Sequence, residues 1–428
     1  MSWALATLAV AFLVFAAVSG RIEGTPVTAA MFFTAAGLLV GANALDLVDL
    51  APAGETVKLL AEATLALVLF ADASRIKVRA LRGELDVPAR LLGIVLPLTL
   101  VAGFLAAIGV LGSLTWSEAL VLAVILAPTD AALGQAVVTL PRLPSRIRQG
   151  LNVESGLNDG ICVPIFFVAL ALARAEEGAI GNGAAARLVA EEIGYGILAG
   201  AIAGTAAAAV VVLAGRRGFI ERSWLQIVPI AGAGLAYGIA APLGGSGFIA
   251  AFVGGLVFAA LRQGEQGEID YLIEEGGAIL NAVTFIVFGA VLLEPALHDV
   301  TASVALYAIL SLTLVRMLPV ALALIGTKAR EPTVGFLGWF GPRGLASIVF
   351  AIIVLEEGGL PHDNTILTTV YLTIGLSVLA HGVSAAPLAD RYARWYESHP
   401  RAVLAEFEAA PASDLRWRRW FGKPHQPA

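Results

Sequence analysis

The sequence predicts an all-α protein that passes many times through a membrane, and three observations predict it. Apolar residues make up 58% of the 428 and charged residues only 14%, whereas soluble globular chains hold roughly 45–50% and 25%. Mean hydropathy is +0.84, and apolar windows near the length that crosses the hydrocarbon core, about 20 residues, recur along the chain. Lys and Arg concentrate in alternate connections between those windows, as the positive-inside rule requires of spanning helices.

The windows fall at 2–20, 26–44, 57–72, 88–111, 116–139, 151–173, 188–214, 223–243, 246–261, 274–293, 301–326, 335–355 and 364–389, thirteen in all. The first resembles a secretory leader in its apolar run, but a leader carries its positive charge before that run. Here Arg21 follows "SWALATLAVAFLVFAAVSG", so the segment reads as a retained helix with its N-terminus outside. The connections after odd-numbered windows hold Arg21; Arg75, Lys77, Arg79, Arg82 and Arg90; Arg142, Arg146 and Arg148; Arg216, Arg217 and Arg222; Arg262; and Lys328 and Arg330. The even-numbered ones hold only Lys58, Arg174 and Arg187. The odd connections are therefore expected in the cytoplasm of a cell whose plasma membrane the chain spans.

The C-terminal tail falls on the same side. A membrane domain is expected over 1–390 and a short cytoplasmic tail over 391–428, where "LRWRRWFGK" (415–423) suits a polar tail lying on an anionic membrane surface. The abundant Ala and Gly permit close helix packing. Cys162 is the single cysteine, which excludes an internal disulfide, and no Cys/His metal framework is visible. With a net charge of −6, neither a cofactor nor a nucleic-acid partner is expected.

Polar residues inside the windows mark the candidate site, because charge at membrane depth is costly and usually functional. The fifth window reads "LAVILAPTDAALGQAVVTL", with Pro128, Thr129 and Asp130 in its middle. The twelfth reads "FLGWFGPRGLASIVFAIIV", with Gly338, Gly341, Pro342 and Gly344 around Arg343. An interrupted helix is tolerated at membrane depth where its freed backbone groups pack on protein or line a cavity. The two interruptions are seven windows apart, an odd offset, so the helices run in opposite directions. Paired interruptions in inverted halves point to the binding site of a secondary transporter.

The sixth window opens with "NVESGLNDG" (152–160). On a helix Glu154 and Asn158 share one ridge, and Ser155 and Asp159 the next. Arg343 is the expected ion-pair partner of Glu154, since a buried guanidinium needs a carboxylate. The proton chemistry then falls to Asp159, for which a proton and a cation are alternative ways of neutralising a buried charge. Asp130 reads equally as a compensator of helix ends or as an ion ligand. Glu62 and Asp72 are further acids within windows, and Glu191 and Glu192 read as solvated or dipole-facing. His381 reads as a packed neutral imidazole and Cys162 as a small apolar filler.

On these residues the chain resembles the monovalent cation–proton antiporter superfamily, in the branch of the bacterial sodium/proton exchangers and animal sodium/hydrogen exchangers. "ESGLNDG" is similar to the Glu-Ser-x-x-Asn-Asp signature of that branch, "APTDAALG" to its Thr-Asp crossover and "GPRG" to its arginine-bearing break. "GSGFIAAFVGGLVF" (245–258) and "AHGVSAAPL" (380–388) also look like family segments, and the likeness covers nearly all of residues 1–390.

The resemblance implies the sodium/proton antiporter fold, with thirteen transmembrane helices, inverted repeats and a homodimer. It implies exchange of Na+, with Li+, for H+ in pH homeostasis. Asp159 would carry the ion and the proton, Ser155 and Thr129 would add oxygens around Na+, and Asp130 would support the crossover. Glu154 and Arg343 would form the structural ion pair, and Asn158 would hold the crossover together with the Pro128 and Pro342 breaks. Asp72 or Glu62 would be accessory, and Arg316, in "VRMLP", would be structural. Relatives with two adjacent aspartates and a lysine at the place of Arg343 exchange more than one proton per sodium. Asn158 beside Asp159 instead implies electroneutral one-for-one exchange.

Three other readings compete. Potassium also binds oxygen cages, so a K+/H+ antiporter of the same fold stays open. A sodium-coupled organic-anion symporter would share the inverted repeats but should show binding groups for its solute. An intramembrane aspartyl protease is disfavoured, because Asn158 stands where its motif needs glycine and Thr129 where it needs tyrosine.

Overall fold

The computed structural model describes residues 2–22, 25–41, 44–45, 47, 51–52, 54–76, 86–130, 133–134, 137, 140–178, 181–215, 217–262, 269–357, 359–399 and 406–409. In chain order the helices are α1 (Ser2–Ile22), α2 (Ala29–Val40), α3 (Glu55–Ser74), α4 (Val87–Val110), α5 (Trp116–Ile125), α6 (Ser145–Glu176) and α7 (Gly183–Ala214). They continue with α8 (Ser223–Leu243), α9 (Gly247–Leu261), α10 (Tyr271–Ala296), α11 (Ala302–Ala323), α12 (Glu331–Trp339), α13 (Leu345–Glu357), α14 (Asp363–Ser398) and the short α15 (Glu406–Ala409).

Eight of these stretches are long and apolar enough to cross a membrane, and α2, α5 and α9 are shorter apolar helices. Large side chains turn outward from them, among them Leu13 (70% exposed) and Leu198 (60%), as a lipid-facing surface requires. Two sequence boundaries move. The fifth window was expected to run to 139, but α5 ends at Ile125, and most of 131–139 lies outside the described residues. The last helix runs past 390 to Ser398. Lys77, Arg79, Arg82, Arg216 and the basic stretch 415–423 also lie outside the described residues.

Local chemistry sets the helix ends. Thr115 opens α5 with a capping box: its hydroxyl accepts the Glu118 N–H, and Glu118 Oε2 accepts the Thr115 N–H at 2.9 Å. This reciprocal pair satisfies two donors that the first turn orphans. Glu118 is fully buried because Oε1 also accepts the His362 N–H just before α14, at 2.9 Å. The Ser117 hydroxyl donates to Glu176 at the end of α6. The start of α5 is thus fastened to two neighbours.

One group of helices is formed where α9 packs on α3, α7 and α8, and α10 packs on α2 and α3. Glycines allow the α7–α9 contact, since a Cβ at Gly200 or Gly204 would overlap a backbone carbonyl of α9. A second group joins α4, α5, α6, α11, α13 and α14, with Phe166 of α6 stacked on Phe350 of α13 at 4.6 Å between centroids. Between the groups, α3 packs on α6 and α13, and Lys58 of α3 pairs with Glu356 at the end of α13. Segment α15 docks on the second group. Phe407 lies under the Arg146 guanidinium, and buried Glu408 accepts from the Arg330 N–H at 2.8 Å and the Thr333 hydroxyl at 2.7 Å.

The first group is locked at one end by Arg262, which makes two hydrogen bonds to Asp270, at 2.7 and 2.8 Å, and one to the Ser74 carbonyl at 2.8 Å. Both side chains are about 95% buried, so removing one leaves the other charge stranded. Asp270→Ala is expected to cost about 3–5 kcal/mol of stability, measured as a lower melting temperature of the purified protein. Asp270→Ala combined with Arg262→Met is expected to recover part of the loss.

Candidate functional site

The site is built around two stretches that leave helical geometry. Pro128 cannot donate a backbone hydrogen bond, and α5 gives way to a non-helical run over 126–130. On the other side α12 stops at Trp339, residues 340–344 are extended, and α13 begins at Leu345. The two runs meet. The Asp130 N–H donates to the Pro342 carbonyl at 2.8 Å, and the Leu345 N–H donates to Asp130 Oδ2 at 3.1 Å. Ser347 Oγ donates to the Ile125 carbonyl at 2.7 Å. Arg343 Nη1 donates to the carbonyls of Ala127 at 2.9 Å and Pro128 at 3.3 Å.

These five contacts exchange the groups that helix ends orphan. The carbonyl end of α5, the negative pole of its dipole, receives the guanidinium. The amide end of α13, the positive pole, receives the Asp130 carboxylate. Gly344 is needed where they cross, because a Cβ there would overlap Asp130 Oδ2.

Helix α6 docks on this crossing through its polar ridges. Ser155 Oγ donates to the Thr129 carbonyl at 2.7 Å, and Asn158 Nδ2 donates to Thr129 Oγ1 at 2.6 Å. Ser155, Asn158 and Thr129 are all buried, and Asp159, one turn beyond Ser155, is 8% exposed. Thr129 is therefore the residue through which α6 holds the end of α5. Asp159, Ser155 and Thr129 bring carboxylate, hydroxyl and carbonyl oxygens into one region of the buried interior.

One sequence expectation is corrected. Glu154 pairs not with Arg343 but with Arg316 of α11, in a bidentate contact of 2.5 and 2.8 Å between side chains 3% exposed. The physical reason is that Arg343 is already engaged by acceptors of another kind, the carbonyls at the negative pole of α5. Arg316 passes beside the second break, where a Cβ at Gly341 would come within 2.6 Å of its Nε.

The two accessory candidates are both on α3, Glu62 part-way along it and Asp72 near its end. Asp72 lies 4.0 Å from Arg75, which itself pairs with Glu274 of α10 at 3.0 Å. Glu62 faces the Tyr237 hydroxyl of α8 and Lys58. Sequence reasoning missed Ser347, the hydroxyl that takes the Ile125 carbonyl. Its place in the first turn of α13, just past the second break, was the available signal.

Comparison with known proteins shows the family and the fold. The family model described as "Sodium/hydrogen exchanger, transmembrane" matches residues 8–391. The chain belongs to that family. The K(+)/H(+) antiporter NhaP of Alkalimonas amylolytica is 26% identical to this exchanger-family chain over 88% of it and 63% of the relative. The Na(+)/H(+) antiporter NhaP of Pseudomonas aeruginosa is 29% identical over 62% of the chain and 64% of the relative. A probable Na(+)/H(+) antiporter of Schizosaccharomyces pombe is 24% identical over 57% of the chain but only 34% of its own length. The chain thus spans between a third and just under two thirds of these curated relatives. The sodium proton antiporter MjNhaP1 of Methanocaldococcus jannaschii shares the fold, with a TM-score of 0.70 at 20% identity over 89% of this chain and 98% of that one.

The corrected pairing has a measurable signature. Glu154→Gln or Arg316→Gln alone strands a buried charge and is expected to cost about 3–5 kcal/mol, whereas the double substitution recovers part of that loss. Arg343→Gln combined with Glu154→Gln should show no such recovery in thermal unfolding of the purified protein.

Proposed function

We propose that the protein is a secondary antiporter that exchanges a monovalent cation, Na+ and also Li+, for H+. The observation that carries the reading is the crossing of the 126–130 and 340–344 runs, with Ser155 and Asn158 bonded to Thr129 and Asp159 one turn away. Carboxylate, hydroxyl and carbonyl oxygens are the hard donors that alkali cations prefer. In this reading Asp159 is neutralised in turn by the cation and by a proton, with oxygens of Ser155 and Thr129 completing the cation shell. Asn158, whose amide is committed to Thr129, carries no charge. One titrating carboxylate in the pair makes exchange one for one and electroneutral.

The same reading gives thirteen crossings, with α5 and its continuation as the fifth and α12 with α13 as the twelfth, in opposite directions. It places the N-terminus outside and the tail in the cytoplasm of the plasma membrane, and two copies as a homodimer. The unit of α5, α6, α12 and α13 moves against the group built on α3, α7, α8, α9 and α10, which carries Asp159 from one face to the other. Glu154 and Arg316, joined inside the first unit and α11, keep that body rigid.

A K+/H+ antiporter of the same fold is the second reading. It is favoured by the relative named a K(+)/H(+) antiporter, which aligns over 88% of the chain.

Proteoliposomes with an imposed pH or cation gradient test these readings. Asp159→Asn is expected to abolish cation-dependent proton movement, and full exchange in that variant would remove Asp159 from its role. The wild-type rate should not respond to membrane potential at fixed ion gradients; a potential that drives exchange by itself overturns the one-for-one ratio. Running Na+, Li+ and K+ in parallel distinguishes the two cation readings by which ion moves protons at the lowest concentration.

A further inference from the structure

We propose that Ser377 and His381 of α14 are positioning residues for the crossing, a clasp that holds the extended run between α12 and α13 from both sides. The break leaves backbone groups at each of its ends without a partner in the helix. At the far end, the Arg343 N–H donates to Ser377 Oγ at 2.7 Å. At the near end, His381 Nε2 lies 3.0 Å from the carbonyl of Trp339, the last residue of α12. Between them, Ser377 Oγ and His381 Nδ1 are 3.2 Å apart. Ser377 and His381 are four residues apart on one face of α14 and are 0% and 1% exposed.

The hydrogen positions follow from which atoms can only accept. A carbonyl oxygen has no proton to give, so the hydrogen of the His381–Trp339 contact is on Nε2. Ser377 Oγ already takes the Arg343 N–H, which leaves its own proton to point at Nδ1. The Ser377 carbonyl, 3.1 Å from Nδ1, is engaged by the backbone N–H of residue 381 within the helix. A neutral imidazole carrying its hydrogen on Nε2 therefore serves the Trp339 carbonyl and the Ser377 hydroxyl together, and the Ser377 carbonyl keeps its partner within the helix. The chain of donors runs from Arg343 N through Ser377 Oγ to His381 Nδ1, and from His381 Nε2 to Trp339 O.

Helix α14 grips Trp339 a second way. The Trp339 indole Nε1 donates to Ser384 Oγ at 2.8 Å, and the Trp339 and His381 rings lie 5.0 Å apart at 32°. Neither Ser377 nor His381 is needed as an ion ligand in this arrangement. Their work is on Arg343 and, through the Pro342 carbonyl, on Asp130.

The transport arm of the test rests on the antiporter reading, and the second arm does not. In full-length protein reconstituted into liposomes, Ser377→Ala strands the Arg343 N–H and lets the crossing shift. An apparent KM for the cation about tenfold higher is expected, since leaving a buried group unsatisfied costs roughly that factor or more, with a smaller change in kcat. Ser377→Thr, which keeps the hydroxyl, is expected to stay near the wild-type KM. A loss of folded protein lowers the total rate without moving KM, so the split separates positioning from stability. Unchanged KM in Ser377→Ala, or a Ser377→Thr variant no better than Ala, overturns the proposal.

The second arm is nitrogen-15 NMR of histidine-labelled wild-type protein, with the His381 signal assigned by its absence in His381→Asn. A neutral ring with its hydrogen on Nε2 at neutral pH is expected, and a hydrogen on Nδ1 alone overturns the clasp. If the wild-type protein moves no protons in response to any cation gradient, the antiporter reading fails, while the tautomer still decides the clasp.

Discussion

The peptide groups freed at Pro128 and around Pro342 set the terms for the rest of the structure. In surroundings without water each unsatisfied amide or carbonyl costs several kcal/mol, so two interrupted helices cannot simply coexist inside an apolar bundle. Here each break answers the other. The carbonyls of Ile125, Ala127 and Pro128 take donors from Ser347 and Arg343, and the amides of Asp130 and Leu345 find the Pro342 carbonyl and the Asp130 carboxylate. The exchange is electrostatic as well as local, because each charged side chain faces the helix pole of opposite sign. Removing any member leaves both breaks incomplete.

Everything else near the crossing reads as support for that exchange. Ser155 and Asn158 hold Thr129, Arg316 is held by Glu154, and Ser377 and His381 hold the stretch before α13. Small residues mark where these layers touch. Gly344 makes room for Asp130 and Gly341 for Arg316, so the "GPRG" run is as much about clearance as about flexibility.

Much of this was legible in the sequence, for physical reasons that differ by element. The apolar windows were visible because lipid tolerates little else over about 20 residues. The two breaks were visible because Pro and Gly beside a charge are out of place there. The pairing of Glu154 was not legible, because a buried arginine can be held by backbone carbonyls as well as by a carboxylate. The open carbonyls at the end of α5 serve Arg343, and that fact depends on where α5 stops. The fifth window is apolar up to Ala127 and largely apolar again after Asp130, so hydropathy alone cannot say that the helix ends at Ile125. The two-ridge reading of α6 also changes: Ser155 and Asn158, from neighbouring ridges, meet on the one residue Thr129. His381 looked like a packed neutral side chain, and its spacing from Ser377 carried more information than its titration.

The seat of α15 has a mechanical consequence. Glu408 binds the Arg330 N–H and the Thr333 hydroxyl in the first turn of α12, while Phe407 is buried under Arg146 at the start of α6. Residues 406–409 are therefore not a trailing end but a rigid handle on the helix that leads into the second break. Force applied to the polypeptide beyond that point, by whatever the tail touches, arrives at α12 and at the start of α6 together.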